Sequence, residues 1–360
     1  MGRTSKPSAA PRIGRRYTFT NCDTGRNLSA GAVSLFTLEE DGRLRSGQLF
    51  YEVDGTLSER GQVFHIVPLK NGRYHLIADG RYLADSDEGY AAVAQAVLSE
   101  ADTVESCWYM TEQGQAEPMR IMMLGDSITH GECCDDAAVN GIGCRALFCE
   151  RLAENADNRF VMVGSVRRFD TAADDTVLLR HEGHGGWMAD DIFEKNPQTR
   201  GLIDRLDAWM GKYRPDVVLA QVGTNDCAFT MGRRGQGEEP WTEAEMDGLM
   251  ARYVTFAQKV WARLPYGGVL IAATVPPTVR SECFNDWIDE FNHRLISLVE
   301  QWKRQGYKTV LAHNNAAIAE SSPTKGNCSD KVHLSSVGYE AMGLSYYRAF
   351  CTLFPGTIGR

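Results

Sequence analysis

The feature that most restricts this chain is a pattern repeated through its second part. A short apolar run ends at a polar turn and is followed by a helix-like stretch. The runs are Arg120–Leu124, Phe160–Val163, Asp216–Val222, Val269–Ala273 and Thr309–Leu311. Helical patterns fall near Gly143–Glu154, Thr199–Tyr213, Glu243–Leu264, Asn285–Gln305 and Ser336–Phe350, and the spacing of Leu202, Ile203, Leu206 and Trp209 has the helical period. Strands that are apolar on both faces and alternate with helices belong to a parallel sheet covered on both sides. The expected class is therefore α/β, a three-layer α/β/α doubly wound parallel sheet over residues 119–354. Its reactive groups should stand at the carboxyl ends of the strands.

The texture before about residue 115 is different. Tyr17-Thr-Phe-Thr, Leu49-Phe-Tyr-Glu-Val, Phe64-His-Ile-Val and Tyr74-His-Leu-Ile-Ala are strand-like. Asn71-Gly72 is a hairpin-turn pair between two of them. Residues 17–113 are therefore expected to form a small all-β module, joined through Gln113–Pro118 to the rest. Residues 1–16, basic and rich in Ser, Pro and Ala, are expected to be a disordered tail. They lack the apolar centre of a secretory signal. The protein is expected in the cytoplasm, or secreted with its signal absent from this sequence. The module also carries a faint repeat. Tyr17 is followed by Thr24-Gly-Arg-Asn-Leu28 and Gln48-Leu-Phe-Tyr51; Tyr74 is followed by Asp79-Gly-Arg-Tyr-Leu83 and Ser106-Cys-Trp-Tyr109. This resembles two of the three repeats of a ricin-type β-trefoil lectin. Both glycan binding and simple packing on the second part are compatible with it.

Charge and cysteine content narrow the partners. A formal net charge of −9 disfavours nucleic acid and anionic membranes. No apolar run reaches the roughly 18 residues of a membrane-spanning helix. The ten cysteines have no Cys-x-x-Cys pair, so a structural zinc site is not expected. Scattered as they are, they fit a reducing compartment, with one or two disulfides still open.

Four polar blocks follow the apolar runs, and each has a plain alternative. In Met122-Met-Leu-Gly-Asp126-Ser127, a strand runs straight into a tight turn that exposes a serine, which could equally cap the next helix. His181-Glu-Gly-His184-Gly-Gly186-Trp187 precedes a helix expected near Met188, and its glycines free backbone N–H groups for an anion; it could also be a flexible loop. His181 and His184 lack a convincing third metal ligand, so a loop or supporting role is expected for both, and no metal. In Val218-Leu-Ala-Gln-Val-Gly-Thr-Asn225-Asp, the Asn225 amide stands just beyond a strand, as an N–H donor or a turn cap. Asp330-Lys-Val-His333 places a carboxylate within one turn of an imidazole. The pair can set the His tautomer for base catalysis, or be a surface loop.

All four occur in one order, and together they resemble the SGNH hydrolases, or GDSL esterase superfamily, over roughly residues 119–352. The resemblance implies a flavodoxin-like sheet. It implies catalysis by Ser127, His333 and Asp330, and an oxyanion hole built from the Ser127 and Gly186 N–H groups and the Asn225 side chain. The His-Glu-Gly-His-Gly-Gly-Trp block looks like that of carbohydrate esterases that deacetylate xylan, where His-Glu-Gly-His-Ser-Gly-Trp occurs; Gly185 stands in place of the serine. On this basis Trp187, His184 and Asp126 are expected to line the substrate site. The expected activity is removal of short acyl groups, most often acetyl, from an O-acetylated oligo- or polysaccharide, through an acyl-enzyme and with no cofactor. A general short-chain esterase, lipase or thioesterase is the same-class alternative. A carbohydrate-binding protein with an inactive hydrolase scaffold is the different-class one. The polar stretch Cys227–Trp241 is read as a loop able to contact a sugar chain.

Overall fold

A computed structural model describes residues 8–69, 72–86, 94, 96–100, 104–133, 141–154, 159–167, 180–192, 201–232, 238–321 and 331–355. The first part is all β. Its strands are β1 (Arg16–Asn21), β2 (Phe36–Leu38), β3 (Leu44–Ser46), β4 (Leu49–Tyr51), β5 (Leu57–Ser58), β6 (His65–Pro68), β7 (Arg73–Ala78), β8 (Arg81–Asp85), β9 (Ala96–Ser99) and β10 (Cys107–Glu112). They form one antiparallel sheet in the order β5-β4-β3-β2-β1-β10-β7-β8-β9, with β6 also on β7. Phe19, Leu28, Phe36, Leu44, Tyr51, Leu76, Leu83 and Trp108 fill its core. The two sequence repeats meet here. Buried Arg26 and Thr24 of the first both hydrogen-bond Asp85, just beyond the second. Asp79-Gly80, both at positive φ, turn β7 into β8, the geometry a two-residue hairpin requires. A third repeat is not found among the described residues, and the trefoil likeness stays a likeness of sequence. Asn71 of the expected Asn71-Gly72 turn lies outside the described residues.

The tail expected over 1–16 is not loose from Ser8 onward. The Ser8 N–H donates to Leu69 O (2.7 Å), the Tyr74 hydroxyl to Ala9 O (2.7 Å), and the Arg12 N–H to the Tyr17 hydroxyl (2.8 Å). These backbone groups find partners on the module's surface, which composition alone does not reveal.

The second part is the expected parallel sheet. Strands β11 (Met119–Gly125), β12 (Phe160–Met162), β13 (Glu182–Gly183), β14 (Val217–Gln221), β15 (Val269–Ala273) and β16 (Thr309–Ala312) include all five sequence-read runs. Their order is β12-β11-β14-β15-β16, and β13 continues the β12 side of β11 at Leu124 and Gly125. Neighbours to either side of β11 therefore follow it in the chain, so the connections diverge there and leave a crevice at its carboxyl end. Helices α1 (Ser127–His130), α2 (Arg145–Ala153), α3 (Leu206–Tyr213), α4 (Thr224–Gly232), α5 (Glu243–Arg263), α6 (Glu282–Arg304), α7 (Asn314–Ser321) and α8 (Ser336–Leu353) cover the two faces.

Alternation along the strands assigns the layers. Met122, Leu124, Val218, Ala220, Leu270 and Ala272 face α3, α4, α5 and α6, while Ile121, Met123, Val217, Leu219, Val269 and Ile271 face α1, α2, α7 and α8. In α6 the buried Phe284, Trp287, Ile288, Phe291, Leu295, Val299 and Trp302 recur at three- and four-residue steps, one apolar stripe against the sheet. Thr242 and Glu245 form a reciprocal capping box that starts α5. No described helix is long and apolar enough to cross a membrane.

Three local expectations change. Met188–Ile192 is not helical, because tertiary partners take its backbone: the Ala189 N–H is held by the Asp226 carboxylate, and Met188 O and Ala189 O accept from Leu202 and Ile203. The helix read over Thr199–Tyr213 is a 3₁₀ turn at Leu202–Asp204 followed by α3, with residues 193–200 outside the described set. The loop read over Cys227–Trp241 begins as α4, with Cys227 and Met231 buried in the core. Of the ten cysteines, eight are described, and all but half-buried Cys283 are buried; Cys134 and Cys328 lie outside the described residues.

The two parts share a core. Cys22, Cys107 and Tyr109 of the module belong to the same buried cluster as Met122, Val161 and Val163. Arg180 forms a fully buried ion pair with Asp23, and its Nη1 donates to Gly164 O (3.1 Å). Arg120 donates to Gly25 O (2.7 Å) and Asn27 Oδ1 (3.1 Å). The module also lies along edge strand β12: the Tyr109 hydroxyl donates to Phe160 O, and Arg159 donates to Met110 O and to the Thr111 hydroxyl. The turn of the first lectin-like repeat is therefore occupied by the junction.

Candidate active site

Strand β11 ends at Gly125, and the chain turns at once into α1. A Cβ on Gly125 would stand 2.0 Å from Gln221 O of β14, so only glycine permits this approach. Asp126 caps α1, accepting from the Ile128 N–H at 2.9 Å, and Ser127 is the first helical residue. The serine thus stands in the crevice beside β11, where the sheet topology exposes reactive groups.

His333 arrives from the loop before α8. Its Nε2 lies 2.8 Å from Ser127 Oγ, across 206 residues of sequence. That distance is within reach for proton transfer from hydroxyl to imidazole. Asp330, expected to orient His333, lies outside the described residues.

The glycine block packs directly on this pair. Gly183 must be glycine, because a Cβ there would meet His130 N at 2.3 Å. The His184 N–H donates to Gly125 O (3.0 Å) and the Trp187 N–H to His184 O (3.2 Å), which forms a tight turn with Gly186 at φ 76°. A Cβ on Gly185 would come within 4.0 Å of Ser127 Cβ, so this turn borders Ser127. Asn225, in the first turn of α4, donates through Nδ2 to Trp187 O (2.9 Å). The structure therefore brings Ser127, His333 and the Gly185–Gly186 turn together, and ties Asn225 to that turn.

His184 and Trp187 are placed differently from each other. The His184, Trp187 and Trp209 rings cluster in a triangle, with His184 4.6 Å from Trp187 and 4.7 Å from Trp209 and the two tryptophans 5.8 Å apart, and His184 Nε2 donates to buried Glu182 (2.9 Å). Glu182 also accepts from the Ser165 N–H and hydroxyl. His184 is thus fixed within this cluster, in which Trp209 is buried and Trp187 half-buried. Asp126, expected at the substrate, is fully buried, and its Oδ1 caps α1. His181 is also buried, with Nδ1 accepting from the Gly183 N–H (2.9 Å); burial, then Arg145 and His130, push it well below the ordinary histidine range, so it is neutral.

Sequence reading missed several supports. Arg145 reaches back from α2 to bond Thr129 O, His130 O (2.9 Å) and Gly141 O (2.6 Å), holding the segment after the nucleophile. Glu132 places a carboxylate oxygen 3.3 Å from His333 Nε2. Trp209, visible in the sequence only as part of a helical stripe, packs parallel to the His184 ring at 4.7 Å. No spacing signal links these residues to the four blocks, because the contacts cross the fold.

Two buried carboxyls beneath the site are raised by burial, Asp126 to about 6 and Asp226 to about 7. A carboxyl that is harder to ionise in the fold than in the unfolded chain contributes most below about pH 4, and that contribution is lost as the pH rises through the folded value. Asp226→Asn, which keeps an acceptor for Ala189, should remove this loss. Relative to wild type, the variant is expected to gain about 1–3 kcal/mol between pH 5 and pH 8, read from thermal or urea melts at both values. Parallel changes in the two proteins would show that Asp226 ionises freely in the fold.

A serine within reach of an imidazole, beside a glycine turn at the open end of a parallel sheet, defines a hydrolase-type acyl-transfer site. The chain belongs to the GDSL-like lipase/acylhydrolase family, which it matches over residues 123–341. It is 24% identical over 247 residues to a multidomain esterase of Ruminococcus flavefaciens, covering 63% of this chain and 28% of that one. The match thus spans little more than a quarter of that relative's length. Among solved structures, an acetyl esterase mutant with acetate ion is similar at 21% identity and a TM-score of 0.48, over 66% of this chain and 99% of its own. A carbohydrate esterase family 3 protein from Talaromyces cellulolyticus is similar at 22% identity and a TM-score of 0.48, over the same shares.

Proposed function

We propose that the protein is a serine esterase that removes acetyl groups from carbohydrate through an acyl-enzyme. The observation that carries the reading is the 2.8 Å approach of His333 Nε2 to Ser127 Oγ at the end of β11. In this scheme Nε2 takes the hydroxyl proton as Oγ attacks the ester carbonyl. The oxyanion is received by the Ser127 and Gly186 N–H groups and by the Asn225 amide; these donors rest on the family motif. His333 then gives the proton to the departing alcohol, and water hydrolyses the acyl-enzyme by the same route. Asp330 is assigned to hold and stabilise the imidazolium. No step calls for a metal or organic cofactor.

The acetyl and sugar preferences rest on the shape and chemistry of the walls. The Gly185–Gly186 turn borders Ser127, and half-buried Trp187, packed on His184, is the aromatic ring assigned to the sugar. Such faces suit the mixed apolar and hydroxylated surface of a sugar. The His-Glu-Gly-His-Gly-Gly-Trp block supports the same substrate class. The lectin-like repeat adds less, because the turn of its first copy is taken up by the junction.

A series of p-nitrophenyl esters tests acyl length. Each methylene buried in an apolar acyl pocket would contribute about 0.8 kcal/mol. A site with little apolar depth should instead give a kcat/KM that falls from acetyl to octanoyl. A steady rise would replace this reading by a lipase or thioesterase one, and would leave the Ser127–His333 pair standing.

A further inference from the structure

Beside the nucleophile stands a carboxylate that the hydrolytic scheme does not use. Glu132 follows Gly131, whose left-handed φ of 91° ends α1. Its backbone is pinned on both sides: the N–H donates to Ser127 O (3.2 Å), and the carbonyl accepts from the Tyr339 hydroxyl (2.8 Å). The side chain turns towards the reaction centre. Oε2 lies 3.3 Å from His333 Nε2, and Oε1 lies 3.0 Å from where a Cβ on Gly185 would stand. The carboxylate therefore spans the gap between the base and the glycine turn. Its side chain is 44% exposed, so a bound molecule can reach it.

The chemistry says what occupies this place. The proton on Nε2 must pass to the departing oxygen, so the alcohol part of the ester has to lie within hydrogen-bond reach of Nε2. A group 3.3 Å from the same nitrogen is then beside that alcohol. An ionised carboxylate only accepts hydrogen bonds. It welcomes a hydroxyl or a cation and repels a second carboxylate. A side chain at residue 185 would press on Oε1 and shift the carboxylate by a few tenths of an ångström.

Resting on the esterase reading of Ser127, we propose that Glu132 and Gly185 form the leaving-alcohol subsite. It selects polyols with a free hydroxyl next to the esterified one, and it rejects alcohols that carry an acid. In the acyl-transfer step, the bond from Ser127 Oγ to the acyl carbon forms and the bond from that carbon to the alcohol oxygen breaks. The serine proton passes through His333 Nε2 to the alcohol. Glu132 holds the alcohol throughout and exchanges no proton.

The experiment uses the full chain and two esters with the same acyl group: glycerol monoacetate, neutral with a neighbouring hydroxyl, and O-acetylglycolate, anionic. The readout is the ratio of their kcat/KM values in wild type, Glu132→Gln and Gly185→Ala. Dividing by the wild-type ratio cancels the intrinsic reactivity of the esters. Glu132→Gln is expected to shift the ratio towards the anionic ester by about tenfold, or about 1.4 kcal/mol. Gly185→Ala, by displacing the carboxylate, should shift it the same way by a smaller factor. A variant that merely loosens the fold would slow both esters alike. Ratios within twofold of wild type in both variants would overturn the subsite. A wild-type protein that hydrolyses neither ester would instead overturn the esterase reading itself.

Discussion

Ser127→Ala should lower kcat/KM for acetyl esters by about 10⁵-fold or more, because nothing else in the site attacks the carbonyl. The fold should survive. The hydroxyl makes one hydrogen bond, to His333, whose net worth is about 1 kcal/mol. Alanine suits the first turn of α1, and the Asp126 cap does not involve the side chain of residue 127. Far-UV circular dichroism and melting temperature should therefore stay close to wild type while activity disappears. A variant active within a few-fold of wild type would remove Ser127 from the nucleophile role and leave the 2.8 Å contact a structural hydrogen bond.

The second large effect lies at the junction. Arg180 and Asp23 are both removed from water, and each is the other's partner. Burial raises the Asp23 carboxyl, and Arg180 is the first group to offset that. Arg167 Nη1 also lies 3.7 Å from Asp23 but is 42% exposed, so Arg180→Ala leaves the buried carboxylate poorly paired, a change that costs about 3–5 kcal/mol. Replacing both residues by apolar ones of similar volume should recover most of that loss, since the charge left behind is the main penalty. Urea unfolding of the two single variants and the double variant separates these terms, and an Arg180→Ala variant within 1 kcal/mol of wild type, a threshold of about one net hydrogen bond, would show that the pair is solvated. Deleting residues up to about 115 goes further. It exposes the apolar surface around Val161 and Val163 and uncovers edge strand β12, so the remainder should aggregate even when assayed on a small soluble ester. A soluble, active truncate would make the module an accessory.

This alters how the N-terminal part is read. Its strand-like runs and hairpin glycines were legible, since alternation and turn chemistry are local. Its strands β2, β3, β5, β8, β9 and β10 were not all legible, because several have two or three residues and owe their conformation to neighbours in the sheet. The repeat Thr24-Gly-Arg-Asn and Asp79-Gly-Arg-Tyr suggested a binding surface. Only the packed structure shows that Asp23 and Gly25 face the second part, while Arg26 faces inward to Asp85.

For the second part, the sequence by itself determined the five parallel strands, the long helices and the order of the four polar blocks. Apolar runs, helical periodicity and capping residues act within a few positions and leave their mark on the chain. The 2.8 Å meeting of Ser127 with His333, the burial of Asp126 and the packing of His184 against two tryptophans were decided by tertiary structure alone. So was the unwound Met188–Ile192 segment, whose helical pattern lost to a hydrogen bond donated to Asp226 and to those accepted from Leu202 and Ile203. The reason is the same in each case. A side chain's partner and exposure are set by atoms that lie far away along the chain and arrive only when the sheet has formed. That is why Glu132, five residues past Ser127, carries no signal in sequence and yet lies 3.3 Å from His333 Nε2 in the fold.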